Sequence, residues 1–392
     1  MNNGKTKPIA DNSRLTALIK IGFDAKRAFL NKTGLGNYSR ATIKVLAENF
    51  PENEYYLYTP KVGHTTESDF LLSLTNAHTK TPATSIFKSL WRSKGIIADL
   101  KRDKIQLYHG LSQELPFNIK KSGIKTVVTI HDLIYLKYPA YFSLINRKIY
   151  EWKAKTACEN ADLIIAISEQ TKTDLIKYFH LSPKKIKVVY QGCDPAFRKQ
   201  ENDAVKEVVR IKYELPQKYI LNVGTIETRK NLLIIAKALK DIPADIFLVI
   251  VGKQTNYAVL LKKYLVKEAL QNRVLFLSNV SFRDLPAIYQ LAEVFVYPSR
   301  YEGFGIPIVE ALSSGTPVIA ATGSCLEEAG GSDSIYVDPD DNIAFAQQLN
   351  LVLSNDQLRL EMKTKGLEYV RRFEEKNIAQ NLMNVYQQAI HA

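Results

Sequence analysis

Two glutamates, Glu302 and Glu310, flank a Gly-Phe-Gly turn and a proline in the stretch SRYEGFGIPIVEALSSGTPVIA, residues 299–320. Pro307 and the apolar IVEAL around it read as the first turn of a helix, where the missing proline N–H is an orphan in any case. Glu302 then lies in a glycine loop and Glu310 inside a helix. Gly303 and Gly305 let backbone amides approach a ligand, and a helix N-terminus offers unpaired N–H groups to a phosphate. Carboxylates beside an anion site must bind something else. Sugar or ribose hydroxyls suit them, because a carboxylate accepts two hydroxyl hydrogen bonds with charge assistance. Taken alone, two solvated acids around a loop would read the same way.

The neighbouring segments add weight. YILNVGTIETRKNL, residues 219–232, runs a strand into Gly224 and Thr225 and then sets Arg229 and Lys230 before a helix pattern. Paired cations at a strand-to-helix turn suit a diphosphate, Arg as a fork and Lys as a point charge; a solvated surface pair is the bland alternative. In FLNKTGLGNYSRATIKVL, Gly34 and Gly36 open a helix after the first strand region, a weak match to a phosphate-cradling loop. VVTIHDLIYLKYP ends a strand with His131 and Asp132, where a cleft should present polar groups, although a lone histidine is often satisfied by local backbone. Asp338-Pro339-Asp340 has an Asp-x-Asp spacing but follows a late strand away from the cations and reads as a turn.

These residues need a frame that brings strand ends together. Apolar, β-branched runs recur at LIKIGFD, YYLYTP, IQLYHG, TVVTIHD, LIIAIS and IKVVYQG, with helix-like patterns between several of them. After the polar stretch YQGCDPAFRKQENDAV the alternation restarts with YILNVG, IFLVIVG, VLFLS, VFVYPS, PVIAA and SIYV. This predicts two doubly wound α/β domains facing across a cleft, residues 1–195 and 196–375, and a C-terminal helix 376–392 that packs back toward the first domain. The final 50 or so residues carry helical spacing with no strand between.

Composition sets outer limits. A chain of 392 residues, 46% hydrophobic and 24% charged, is globular and long enough for two cores. Its apolar runs are strand-length, far short of a ~20-residue bilayer span. The N-terminal MNNGKTKPIADNSRL lacks the apolar centre of a signal peptide, so the expected location is the cytoplasm. Cys158, Cys193 and Cys325 form neither a disulfide framework nor a metal spacing and read as packing residues. The net charge of +13 is uneven: residues 1–199 hold 32 Lys/Arg against 17 Asp/Glu, and residues 200–392 hold 21 against 23. A basic N-terminal half attracts anions: nucleic acid, an anionic membrane or a phosphorylated substrate. Residues 85–104, SIFKSLWRSKGIIADLKRDK, set Ile86, Phe87, Leu90 and Trp91 at helical spacing among Lys88, Arg92, Lys94, Lys101, Arg102 and Lys104. A basic amphipathic helix of this kind either lies on an anionic membrane or packs its apolar face on its own domain.

In order along the chain, FDAKRAFLNKTGLGNYSR, TIHDLIYLKYP, IAISEQTKTDL, VVYQGCDPAF, VGTIETRKNL and YPSRYEGFGIPIVEALSSGTPVIA resemble the nucleotide-sugar-dependent glycosyltransferases of family four, and the likeness spans most of the chain. The resemblance implies a GT-B fold, a retaining and metal-independent hexosyl transfer, and no cofactor beyond a GDP- or UDP-linked sugar as donor. It assigns Glu302 to donor-sugar hydroxyls, Glu310 to the ribose, Arg229 and Lys230 to the diphosphate, and His131 to the transferred sugar. Gly34 and Gly36 would face the diphosphate on closure, and the amides of Phe304 and Gly305 would face sugar and phosphate. It implies a glycan or lipid-linked acceptor in polysaccharide or glycolipid synthesis, with mannose as the first sugar to test, peripheral membrane contact through residues 85–104, and no nucleic-acid partner. Two departures stand out: Thr225 where many relatives carry Arg, and Leu326-Glu327-Glu328 where they carry Leu-Pro-Glu. The competing readings are a sugar-nucleotide epimerase of the same fold, a glycoside hydrolase, a basic nucleic-acid-binding protein and a catalytically silent binder.

Overall fold

The computed structural model describes residues 18–65, 67–83 and 88–392. The first domain holds a seven-stranded sheet of β1 (Lys20–Asp24), β2 (Glu54–Tyr58), β3 (Ala77–Lys80), β4 (Leu107–Gly110), β5 (Lys125–Ile130), β6 (Leu163–Ala166) and β7 (Ile186–Val188), in the order β3-β2-β1-β4-β5-β6-β7. The second holds six strands, β8 (Tyr219–Val223), β9 (Phe247–Val251), β10 (Val274–Leu277), β11 (Val294–Tyr297), β12 (Val318–Ala321) and β13 (Ile335–Val337), in the order β10-β9-β8-β11-β12-β13. Every pairing is parallel. The central strands are buried almost throughout, which is why they read in the sequence as continuous apolar runs rather than alternating ones.

Strand order reverses between β1 and β4 in one sheet and between β8 and β11 in the other. A crevice outside the carboxyl ends of such a pair is where open α/β sheets take ligands. Arg229 and Lys230 follow β8, and Glu302 follows β11, so the two segments flank the second switch point.

One strand, β3, has no counterpart among the sequence expectations. Its AHTK lacks an apolar run because it is an edge strand, hydrogen-bonded only to β2 and half-exposed. The first sheet ends at Val188 and the second begins at Tyr219; the helix Asp203–Lys212 between them packs against the helix Leu285–Gln290 of the second domain. The C-terminal helix Glu375–His391 returns to lie on the helix Gly34–Asn49 and on the ends of β4 and β5. Its buried Tyr386 hydroxyl lies 2.6 Å from His109 Nδ1, and His109 Nε2 lies 2.8 Å from Thr129 Oγ1. Burial pushes the His109 pKa down to about 3, so this bridge to the first domain is neutral.

Candidate active site at the domain cleft

Glu302 is the hub of the site. Its Oε1 accepts from Lys230 Nζ at 2.6 Å, Ser299 Oγ at 2.5 Å and Tyr297 Oη at 3.2 Å, and is ion-paired with Arg229 Nη1 at 2.6 Å. Local folding explains the convergence. Tyr297 ends β11, Ser299 and Glu302 follow in the next turn, and a tight turn, Thr228–Lys230, brings the cations off β8. The backbones are tied as well, since Arg300 N–H donates to the Arg229 carbonyl at 3.0 Å. Burial would raise the Glu302 pKa, but Lys230 and Arg229 outweigh it and hold the carboxyl down to about 2. Burial lowers the Lys230 pKa, with Glu302 acting against that shift. Lys230 is 8% exposed, also donates to Tyr297 Oη, and lies beside Gly224, whose missing Cβ would stand 3.6 Å from Nζ. Arg229 is half-buried and further held by the Tyr301 carbonyl at 2.6 Å and Glu227 Oε1 at 2.6 Å. Burial opposes its charge, but Glu302 and Glu227 raise its pKa.

A cavity of about 360 Å³ opens beside this hub, bordered by Glu227, Thr228, Arg229, Glu302 and Gly303 of the second domain and by Asp132, Ile134, Tyr141 and Phe142 of the first. The cleft is therefore formed by both domains. His131 is not on its wall: the ring is buried, with Nε2–H donating to the Leu111 carbonyl at 2.9 Å and the Tyr38 ring perpendicular to it at 4.6 Å. Burial lowers its pKa to about 4, so the ring is neutral. Its neighbour Asp132 borders the cavity instead, with a pKa raised by burial. Gly303 meets the first domain directly. A Cβ there would stand 2.2 Å from the His131 carbonyl oxygen, so only glycine permits this approach.

Glu310 sits apart from the hub on the helix Ile306–Ser313, where its carboxylate accepts from Tyr289 Oη at 2.8 Å. Burial pushes its pKa up to about 7 against that hydrogen bond. Gly305 precedes this helix with φ of 139°, a conformation that favours glycine. The Phe304 side chain is an anchor, stacked on Tyr190 at 5.4 Å and edge-on to Phe373. Thr225 is exposed in the loop after β8. Neither Gly34 nor Gly36 borders the cavity. Gly34 is exposed at its helix start, and Gly36 leaves room for the Asn31 carbonyl, which a Cβ would meet at 1.8 Å.

The Leu-Glu-Glu departure is accommodated locally. Glu327 occupies the first turn of the short helix Leu326–Gly330, a position that tolerates proline or glutamate alike, and its carboxylate accepts from Thr322 Oγ1 at 2.6 Å and Gly323 N–H at 2.9 Å. Asp338 Oδ1 accepts from the Asp340 N–H at 2.8 Å and Asp340 pairs with Arg300, so Asp338-Pro339-Asp340 forms a turn. Among the described residues no group of three His, Cys, Asp or Glu side chains is arranged to hold a metal. Sequence reasoning did not select Tyr297, Ser299, Glu227, Thr228, Tyr141 or Phe142 as site residues, and it noted Asp132 only as a polar group beside His131 at a strand end. Tyr297 and Ser299 stand in the YPSRYEG run, and their only signal was position at a strand's carboxyl end.

Two facing doubly wound domains with this charged hub between them define a GT-B glycosyltransferase. The chain belongs to the glycosyltransferases of family four: the model described as Glycosyltransferase Family 4 matches residues 34–197, and the one described as Glycosyl transferases group 1 matches residues 205–369. It is similar to O-antigen chain mannosyltransferase B of Escherichia coli, 28% identical over 292 residues that cover 73% of this chain and 75% of that protein. It is also similar to O-antigen chain mannosyltransferase RfbU of Salmonella typhimurium, 28% identical over 66% of this chain and 68% of the relative. The crystal structure of Anabaena Alr3699/HepE in complex with UDP shares the fold, with a TM-score of 0.73 at 18% identity over 95% of this chain and 100% of that one.

Proposed function

We propose that this enzyme transfers a hexose, mannose first among the candidates, from a GDP- or UDP-linked donor to a glycan or lipid-linked acceptor in cell-surface polysaccharide or glycolipid synthesis, with retention of configuration and without a bound metal. The observation that carries the reading is the Glu302 carboxylate, held ionised on Arg229 and Lys230 at the β8/β11 switch point. Cleaving an anomeric carbon from a diphosphate builds negative charge on the leaving group, and fixed cations in a buried site stabilise that charge without reorganising. Lys230 has three donors and commits two, to Tyr297 and Glu302, so one remains for a phosphate oxygen. Lys230, Arg229, Ser299 and Tyr297 all meet Glu302 through Oε1, and in this reading Oε2 takes the sugar hydroxyls. The names of the two O-antigen relatives support mannose and polysaccharide synthesis.

A thermal-shift panel of UDP-, GDP-, ADP- and dTDP-sugars tests this, because a ligand that binds only the folded state raises the melting temperature. One nucleotide should stand out. Its shift should be larger at pH 8 than at pH 6, since only ionised Glu310 accepts two ribose hydroxyls and its pKa is about 7. The selected donor should then label an acceptor; conversion to its epimer without transfer would favour the epimerase, and a flat panel would reject the donor site.

Peripheral contact with an anionic membrane is the second part of the proposal, and a different surface supports it than residues 85–104. Residues 85–87 lie outside the described residues. Beyond them Trp91 turns inward, its Nε1–H donating to Asp99 at 2.6 Å, and Arg92 pairs with Asp24 and Glu114. The helix Leu144–Asn160 instead exposes Leu144 (67%), Ile145 (73%), Ile149 and Trp152 (54%), with Lys148 and Lys155 exposed beside them. Apolar residues at i, i+4 and i+7 flanked by lysines suit the headgroup boundary of an anionic bilayer. No helix of the described residues is long and apolar enough to cross a membrane. Sedimentation with phosphatidylglycerol-containing vesicles should capture the wild type, and the Ile149→Glu/Trp152→Glu double variant should stay in the supernatant. Equal sedimentation of the two would remove this surface from the proposal.

A further inference from the structure

The helix Glu169–Phe179 of the first domain begins at the cleft, and its first backbone donors are taken by a residue of the second domain. Glu328 accepts the Glu169 N–H at 2.6 Å through one carboxylate oxygen and the Gln170 N–H at 3.0 Å through the other. A carboxylate at a helix N-terminus gains both from the unpaired donors and from the helix dipole. Ser168 completes the cap from within, its Oγ accepting the Thr171 N–H at 3.0 Å while donating to the Gly303 carbonyl at 2.7 Å. Thr171 Oγ1 reaches the same Gly303 carbonyl at 3.4 Å and the His131 carbonyl at 3.3 Å. The Gly303 loop, which carries Glu302, is thus fastened to the other domain at the point where Glu328 caps its helix.

The second domain holds this loop and Glu328 as one unit. Cys325, three residues before Glu328, lies buried with Sγ 3.1 Å from the Glu302 carbonyl and 3.0 Å from the Phe304 carbonyl. From behind, Tyr369 Oη donates to the Glu328 carbonyl at 2.9 Å. One helical turn therefore links the backbone on both sides of Gly303 to a carboxylate that grips the first domain.

We propose that Glu328 is a positioning residue that latches the two domains in the closed arrangement and thereby seats the Glu302 loop against the His131–Asp132 strand end. The proposal rests on the donor-site reading for its kinetic consequence, but the latch itself is a statement about domain closure. The donor groups, Arg229, Lys230 and Glu302, all belong to the second domain, so donor binding survives without the latch. Transfer, which needs both walls of the cleft, does not.

The test uses the full chain with Glu328→Gln, Glu328→Ala and Ser168→Ala. Small-angle scattering of the ligand-free proteins should give a larger radius of gyration for Glu328→Ala than for wild type, with Glu328→Gln between them because it keeps one neutral acceptor. Loss of a charge-assisted hydrogen-bonded contact should lower kcat about ten- to hundredfold in Glu328→Ala, with Gln partly restoring it. The donor-induced thermal shift should stay at the wild-type value. Ser168→Ala should enlarge the radius of gyration and lower kcat by less, again with the thermal shift at its wild-type value. Unchanged scattering overturns the latch whatever the kinetics do. Expanded scattering with kcat unchanged overturns the positioning role, and a fall in kcat with equal loss of the thermal shift assigns Glu328 to donor binding instead. If the wild type itself binds no nucleotide sugar, the donor reading fails while scattering still decides the latch.

Discussion

Lys230→Ala should lower kcat/KM for sugar transfer by about 10²–10³-fold, the usual loss when one preorganised donor to a developing oxyanion is removed. Lys230 is a strong case because its charge is almost wholly withdrawn from water and is held by the Tyr297 hydroxyl, the Glu302 carboxylate and the close backbone at Gly224. In so enclosed a place a cation acts in low dielectric, where its attraction for a departing diphosphate is least screened. Lys230→Arg should not restore activity, since a planar fork cannot occupy the space of an ammonium wedged against Tyr297. Steady-state kinetics of both variants, with thermal melts to confirm folding, check the expectation. Wild-type turnover in Lys230→Ala would remove this residue from the site and leave Arg229 as the only diphosphate cation.

How legible this site was depended on how local its causes are. The four inner strands of the second sheet stood out because strands buried on both faces are apolar runs, and its edge strands β10 (VLFL) and β13 (IYV) stood out because they too are apolar, whereas the edge strand β3 reads AHTK and pairs only with β2. Arg229, Lys230 and Glu302 were visible because each follows a strand whose end was readable, and the parallel fold then brings neighbouring strand ends together. Residues 85–104 left two readings open for the opposite reason: Arg92 looks like a solvent-facing cation until the fold supplies Asp24, 68 positions away, and Glu114, 22 away. The ring of His131 was drawn to the cleft by its place at the end of β5, but the backbone turns that ring inward and presents Asp132. Gly303 looked like a phosphate-approach glycine, and in the folded chain its missing side chain makes room for a carbonyl of the other domain. Contacts between domains, Glu328 included, leave no periodic trace in either segment.

Glu302→Ala should abolish most transfer, about 10²–10³-fold, and should also unsettle the fold, because it leaves Lys230 and Arg229 facing each other without their shared carboxylate. Breaking a buried pair by removing one partner costs about 3–5 kcal/mol, and at ~2–4 °C per kcal/mol for a large domain the melt should fall by roughly 6–20 °C at neutral pH. The size of the loss should depend on pH. With Glu302 gone, the Lys230 pKa, already lowered by burial, falls further, so the variant is penalised wherever the unfolded lysine is charged and the penalty eases as pH rises toward 10.5. In the wild type the depressed Glu302 pKa stabilises the fold fully above 4.5, and that contribution is lost as pH falls through about 2. Glu302→Gln, which keeps the shape and one acceptor, should melt between the two. A nucleoside diphosphate supplies the missing counter-anion if its phosphates sit on Arg229 and Lys230. The thermal shift it produces should therefore be larger in Glu302→Ala than in wild type, even though the variant cannot orient a sugar. A smaller shift in the variant would mean that the diphosphate does not contact these cations, and the leaving-group role would then have to be sought at the amides around Gly305.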